Sequence, residues 1–88
     1  MPTPTLPEAL RLAADLTEQI GWTDGITWTG TREIHLHMSY GRPDPTDAIV
    51  ERGATLIKAA VRIHTWQMPT GLLVTIFGER RPVDAEAA

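Results

Sequence analysis

Cysteine and asparagine are both missing from this 88-residue chain. Without cysteine there is no disulfide framework and no thiolate zinc site, so the fold must be held by its core and its hydrogen bonds. A reducing, cytoplasmic compartment is the matching expectation. Lysine occurs once, at Lys58, and the other seven basic residues are arginine. With asparagine absent, that bias is what GC-rich codons produce, and it points to a bacterial or phage source. No apolar run approaches the ~20 residues that span a bilayer. The N-terminus lacks the basic segment and apolar stretch of a signal peptide. There is also no Ser-His-Asp arrangement, no glycine-rich phosphate loop and no metal motif. The expectation is therefore a protein that is not an enzyme and carries no cofactor.

What remains describes one small domain. A chain of this size buries roughly 60–65% of the surface its unfolded form exposes, which allows one core and no deep cleft. Hydrophobic residues make up 42% of the chain, an ordinary globular share. The net charge of −3 is unevenly spread. Residues 1–51 hold eight acids against three arginines, whereas residues 52–81 hold five bases against Glu79 alone. Such a bipolar chain is suited to head-to-tail association with itself or with another charged partner.

Residues 1–5 are rich in proline and threonine and read as a loose end. A single α+β domain is expected over 6–81, followed by a disordered tail over 82–88. Helix 1 starts at a capping box, Thr5-Leu6-Pro7-Glu8. Its buried stripe is Ala9, Leu12, Ala13, Leu16 and Ile20, and Gly21 stops it. A short strand is expected over 26–29 and a longer one over 32–40. Asp44-Pro45 opens a second helix, whose stripe is Ile49, Val50, Gly53, Leu56, Ile57 and Ala60, with Val61 at its margin. Gly53 would then lie in mid-helix, at a cost of about 1 kcal/mol relative to alanine. Two further strands follow, over 63–68 and 72–78.

Register follows from turn length, because strand side chains alternate faces. Pro69-Thr70-Gly71 suits a three-residue hairpin loop with glycine in the left-handed region. That puts Trp66 opposite Val74 and Met68 opposite Leu72. The same length at Thr29-Gly30-Thr31 puts Trp28 opposite Arg32 and Ile26 opposite Ile34. The hairpins then superpose at an offset of 38 residues, Trp28 on Trp66. An internal repeat of two helix-hairpin (αββ) units is the expectation, with both tryptophans as buried anchors. The inner face collects Ile26, Trp28, Ile34, Leu36, Met38 and Tyr40 with His64, Trp66, Met68, Leu72, Val74 and Ile76. Two helices would cover that face of a four-stranded antiparallel sheet. The element order resembles a cyclically permuted ferredoxin-like topology, which implies the strand order 3-4-2-1.

The opposite face has no helix left to cover it. It carries Thr27, Glu33, His35, His37, Ser39, Thr65, Gln67, Leu73, Thr75 and Phe77. Glu33, His35, His37, Leu73, Thr75 and Phe77 form the expected interaction surface, for an unknown protein partner or a second copy, with a homodimer as the expected assembly. His35 and His37 point the same way, about 7 Å apart, and could ligate one metal if further ligands joined them. They also mark an alternative small-ligand site. Nucleic acid is an unfavoured alternative, with Arg52, Lys58 and Arg62 on helix 2 as the phosphate contacts; the chain's acidity opposes it. No membrane contact is expected.

Overall fold

The computed structural model describes residues 4–18, 20–29, 32–38 and 45–78. The elements are α1 (Leu6–Thr17), β1 (Gly25–Trp28), β2 (Glu33–His37), α2 (Thr46–Glu51), β3 (Thr55–Ala59), β4 (Ile63–Gln67) and β5 (Leu73–Phe77). The fold is α+β, with one five-stranded sheet in the order β1-β2-β5-β4-β3. Of the expected end segments 1–5 and 82–88, residues 1–3 and 82–88 lie outside the described residues, as do Ser39, Tyr40, the turn 41–44 and Gly30-Thr31, whereas Pro4 is buried and Thr5 caps α1.

Helix α1 follows its local chemistry. Thr5 is the N-cap, and its hydroxyl accepts from the Glu8 N–H at 3.3 Å. Ala9, Ala13 and Leu16 are buried, with Leu12 and Ile20 half-buried against the same core. Gly21 adopts φ +75° and returns its N–H to the Thr17 carbonyl at 2.7 Å. An L side chain would be strained there, so glycine is required by conformation rather than by space.

The second helix is much shorter than its pattern suggests. α2 is six residues long and ends where Gly53 turns to φ +77°. The Gly53 N–H bonds the Val50 carbonyl at 3.0 Å and the Ala54 N–H bonds the Ile49 carbonyl at 3.4 Å. This paired closure is a Schellman stop. Gly53 is therefore a terminator and not a mid-helix residue. Beyond it, Leu56 and Ile57 enter β3, a strand that the sequence pattern places in helix 2. Arg52, Lys58 and Arg62 consequently are not helix-borne: Arg52 caps the end of α2, Lys58 lies in β3 and Arg62 precedes β4.

The extra strand also corrects the sheet. Four antiparallel strands were expected, and there are five in a mixed arrangement. The neighbours 3-4-2-1 persist as β4-β5-β2-β1, but β2 and β5 pair parallel. Each hairpin reverses chain direction, so inserting β3 between α2 and β4 inverts β4 and β5 relative to β2. This is not the all-antiparallel arrangement that the permuted ferredoxin-like order implies.

The β4–β5 hairpin has the expected register: Trp66 faces Val74, Gln67 faces Leu73, and the Met68 N–H bonds the Leu72 carbonyl at 2.8 Å. Gly71 supplies φ +91°. The β1–β2 register differs. Trp28 faces Ile34 and Ile26 faces Leu36, and the Thr29 N–H bonds the Glu33 carbonyl at 3.0 Å. The loop is thus shifted one residue along the chain. A one-residue shift on both arms keeps side chains on their faces, so the inner face survives. It does remove the constant offset between hairpins: Trp28 lies one pair from its loop, and Trp66 lies two.

One core results, from Ala9, Ala13 and Leu16 of α1, Ala48 and Ile49 of α2, and Ile34, Leu36, Trp66, Val74 and Ile76 of the strands. Trp66 is 2% exposed, whereas Trp28, on the edge strand, is half-buried, and Ile26 is exposed. The two tryptophans are not equivalent anchors.

Candidate functional site

Both helices contribute to the core on one side of the sheet, which leaves the other side for display. The registers align one row of that side across all five strands. Thr27 faces His35, His35 faces Thr75, Thr75 faces Thr65, and Thr65 faces Lys58. Next to it, Glu33 faces Leu73 and Leu73 faces Gln67. On the other flank Gly25 faces His37, and His37 faces Phe77. The parallel β2–β5 pairing therefore brings Glu33, His35 and His37 against Leu73, Thr75 and Phe77. The sequence groups these six residues by face. Their mutual contacts come from the neighbouring of β2 and β5.

A polar thread runs through the row. Glu33 Oε2 accepts a hydrogen bond from the Thr75 hydroxyl at 2.9 Å and pairs with His35 Nε2. The hydroxyls of Thr75 and Thr65 bond each other at 2.8 Å. Thr65 and Thr75 are buried despite lying on the open side, and the Thr75 hydroxyl donates to Glu33. Thr75 therefore supports Glu33 from below and is not itself displayed. The imidazoles wrap Phe77: His37 stacks on its ring with centroids 4.8 Å apart, and His35 tilts against it at 5.1 Å. Leu73 and Phe77 are both half-buried. His37 Nε2 makes a 3.3 Å hydrogen bond with the Thr27 hydroxyl.

Glu33 responds to two opposing effects. Its burial raises its pKa. Against that act the hydrogen bonds from His35 and Thr75 and the charges of His35 and Lys58, and these win, so its pKa falls below the ordinary 4.5. A depressed folded-state pKa stabilises the fold above the unfolded value, and that stabilisation is lost as pH falls through the folded value. The wild-type advantage over Glu33→Gln should therefore shrink as pH falls from neutrality through the carboxylate range, below the ordinary 4.5. Urea unfolding of both proteins across that range checks this, and a pH-independent gap would contradict it.

The two imidazoles do not converge on one point. Their centroids are 6.5 Å apart in an edge-to-face arrangement. His35 Nε2 is turned to Glu33 on its own strand and His37 Nε2 to Thr27 on β1. Among the described residues no group of three or more His, Cys, Asp or Glu side chains is placed to hold a metal ion. His64 belongs to the core and not to this site: it is fully buried, and its Nδ1 accepts from the Trp66 indole N–H at 2.7 Å.

A concavity lies on the helix side, between α1 and the β4–β5 turn. It encloses about 410 Å³ over a floor of Leu12, Met68 and Leu72, and its rim alternates Glu8, Arg11, Asp15 and Arg52. Sequence reading did not anticipate it. Glu8, Arg11 and Asp15 do recur at helical spacing on one side of α1, but only the fold brings Arg52 opposite them. Its balanced charges give it no preference for an ion of either sign. No helix among the described residues is long and apolar enough to cross a membrane.

Comparison with protein-family models, with curated proteins and with solved structures found no match to this chain. The site's chemistry therefore rests on its own geometry.

Proposed function

We propose that this chain is a non-enzymatic protein-interaction module that self-associates through the open face of its sheet. The observation that carries the reading is the Phe77 cluster. An aromatic ring and Leu73 stand on the central strand β5, flanked by two imidazoles, on the side away from both helices. A patch of apolar side chains rimmed by polar ones is the usual anatomy of a contact surface. The imidazole–phenyl stack holds these rings in place before contact, which lowers the entropic cost of binding.

A second copy fits this face by charge. Glu33 stands on β2, and Lys58 stands two strands beyond β5, on β3. A copy turned by half a rotation sets the carboxylate of one face toward the ammonium of the other, as a two-fold contact requires. Sedimentation equilibrium tests the reading. Wild type should dimerise, and Phe77→Ser should weaken the dimer by about tenfold or more, as loss of a central anchor does. A chain that stays monomeric at millimolar concentration, or a dimer indifferent to Phe77→Ser and His35→Ala, would overturn it.

A further inference from the structure

Among the described residues the sheet has two unpaired edges, and the charges beside them are of opposite sign. β1 and β3 are its outer strands. β3 carries Lys58 and leads into Arg62, while Asp24 immediately precedes β1, whose own residues are uncharged. Large apolar side chains also meet solvent at both edges: Ile57 of β3 is 50% exposed and Val61 after it 67%, and Ile26 of β1 is 43% exposed.

The backbone of both edges is oriented for pairing. The Thr29 N–H bonds the Glu33 carbonyl, so the alternation of an antiparallel ladder makes Thr27 and Gly25 the inward-bonding positions of β1 and turns the Ile26 N–H off the sheet. The Ala60 N–H bonds the Ile63 carbonyl at 2.8 Å, so by the same alternation Lys58 bonds inward and the Ala59 N–H turns outward. Strand direction fits as well. β3 is antiparallel to β4, β4 to β5, and β5 is parallel to β2, which is antiparallel to β1. β3 and β1 therefore run in opposite directions. A neighbour added in the same orientation presents its β1 antiparallel to β3, the more stable kind of pairing.

We propose that copies of this chain join head to tail, the basic β3 edge of one pairing with the acidic β1 edge of the next to continue the sheet. This contact uses the edges and goes beyond the face contact described above. The charges select the pairing. Two β3 edges would bring Lys58 and Arg62 of both copies together, and two β1 edges would bring their Asp24 carboxylates together; only the mixed joint opposes unlike charges. The slip in register between Leu56 and Lys58 is a bulge, and a bulge with a lysine is a common guard against indiscriminate edge pairing. An acidic partner edge turns that same lysine from a barrier into a contact.

Sedimentation velocity on the full chain tests this in a Phe77→Ser background, which removes the face contact, so that failure of one reading is separable from failure of the other. At about 20 mM salt the species should grow with concentration, and at about 0.5 M salt they should shrink, because exposed charges are then screened. Ile26→Pro removes the outward donor of β1 and Ala59→Pro that of β3, each without touching the inner ladder. Each variant alone should stay monomeric, and an equimolar mixture should form a one-to-one pair, since each supplies one intact edge. If a proline variant fails to fold by circular dichroism, Lys58→Glu and Asp24→Lys take its place: each alone should lose joining, and their mixture should regain it. No growth in the background protein, or a mixture that forms no pair, would overturn the proposal.

Discussion

Trp66→Ala should lower the free energy of unfolding by about 3–5 kcal/mol, the usual cost of removing a buried tryptophan. That is a large part of the 5–15 kcal/mol that holds a typical domain together. Two losses combine. The indole is 2% exposed in a core with Ile34, Leu36, Val74 and Ile76, so its removal leaves a cavity that the strands cannot close. Its N–H also satisfies His64 Nδ1, which is buried and would lose its donor. Trp66→Phe separates the two, because it keeps most of the ring volume and removes only the donor; about 1–3 kcal/mol is expected for it. Trp28→Ala should cost clearly less than Trp66→Ala, because Trp28 lies half-buried on an edge strand. Urea midpoints at unchanged slope measure all three. A Trp28 variant as damaging as the Trp66 variant would contradict this division of the core.

Gly53 gives a prediction of opposite sign to the one its sequence position suggests. Were it in mid-helix, Gly53→Ala would stabilise the protein by about 1 kcal/mol. At φ +77° the same substitution should destabilise it by about 1–2 kcal/mol, since an L side chain in the left-handed region meets the following carbonyl. Gly53→Val should cost more, because a β-branched side chain is poorer still there. Crowding is not the cause: a Cβ at 53 would stand 3.8 Å from Pro69 Cγ, an ordinary contact. The measurement is again a urea midpoint. A stabilised Gly53→Ala protein would mean that α2 continues past Glu51.

These substitutions mark where sequence reading worked and where it did not. α1 was legible in its cap and its stripe through Leu16 because both are local chemistry, although the helix ends at Thr17, before the expected stop at Gly21. The β4–β5 hairpin was legible because Pro69-Thr70-Gly71 dictates its own loop. α2 was misread because Ile49, Val50, Leu56 and Ile57 satisfy helical spacing whether or not the helix continues. The signal that could have ended it was Gly53 followed by Thr55-Leu56-Ile57, a stop followed by a run that favours strand. The β1–β2 loop was displaced by one residue because both placements keep Trp28 and Ile34 on one face. The Thr29 N–H and hydroxyl, bonded to the Glu33 carbonyl at 3.0 and 3.1 Å, settle the choice.

The candidate site divides in the same way. Alternation along single strands was enough to set Glu33, His35 and His37 on one side, with Leu73, Thr75 and Phe77 on one side of their own strand, because side-chain alternation needs only the strand itself. The pairing of β2 with β5 was also within reach, since the longer apolar strands belong at the centre of a sheet. What the chain alone did not decide was the direction of that pairing, the burial of Thr75 beneath Glu33, the unequal depth of the two tryptophans, and the opposite charge of the two sheet edges. Each depends on β3, a strand that forms only because α2 stops early and the edge of β4 is there to receive it. β3 is the first arm of a tight hairpin, closed where the Ala60 N–H bonds the Ile63 carbonyl, and its local cue in residues 53–57 competes with a helical spacing that fits the same apolar residues equally well.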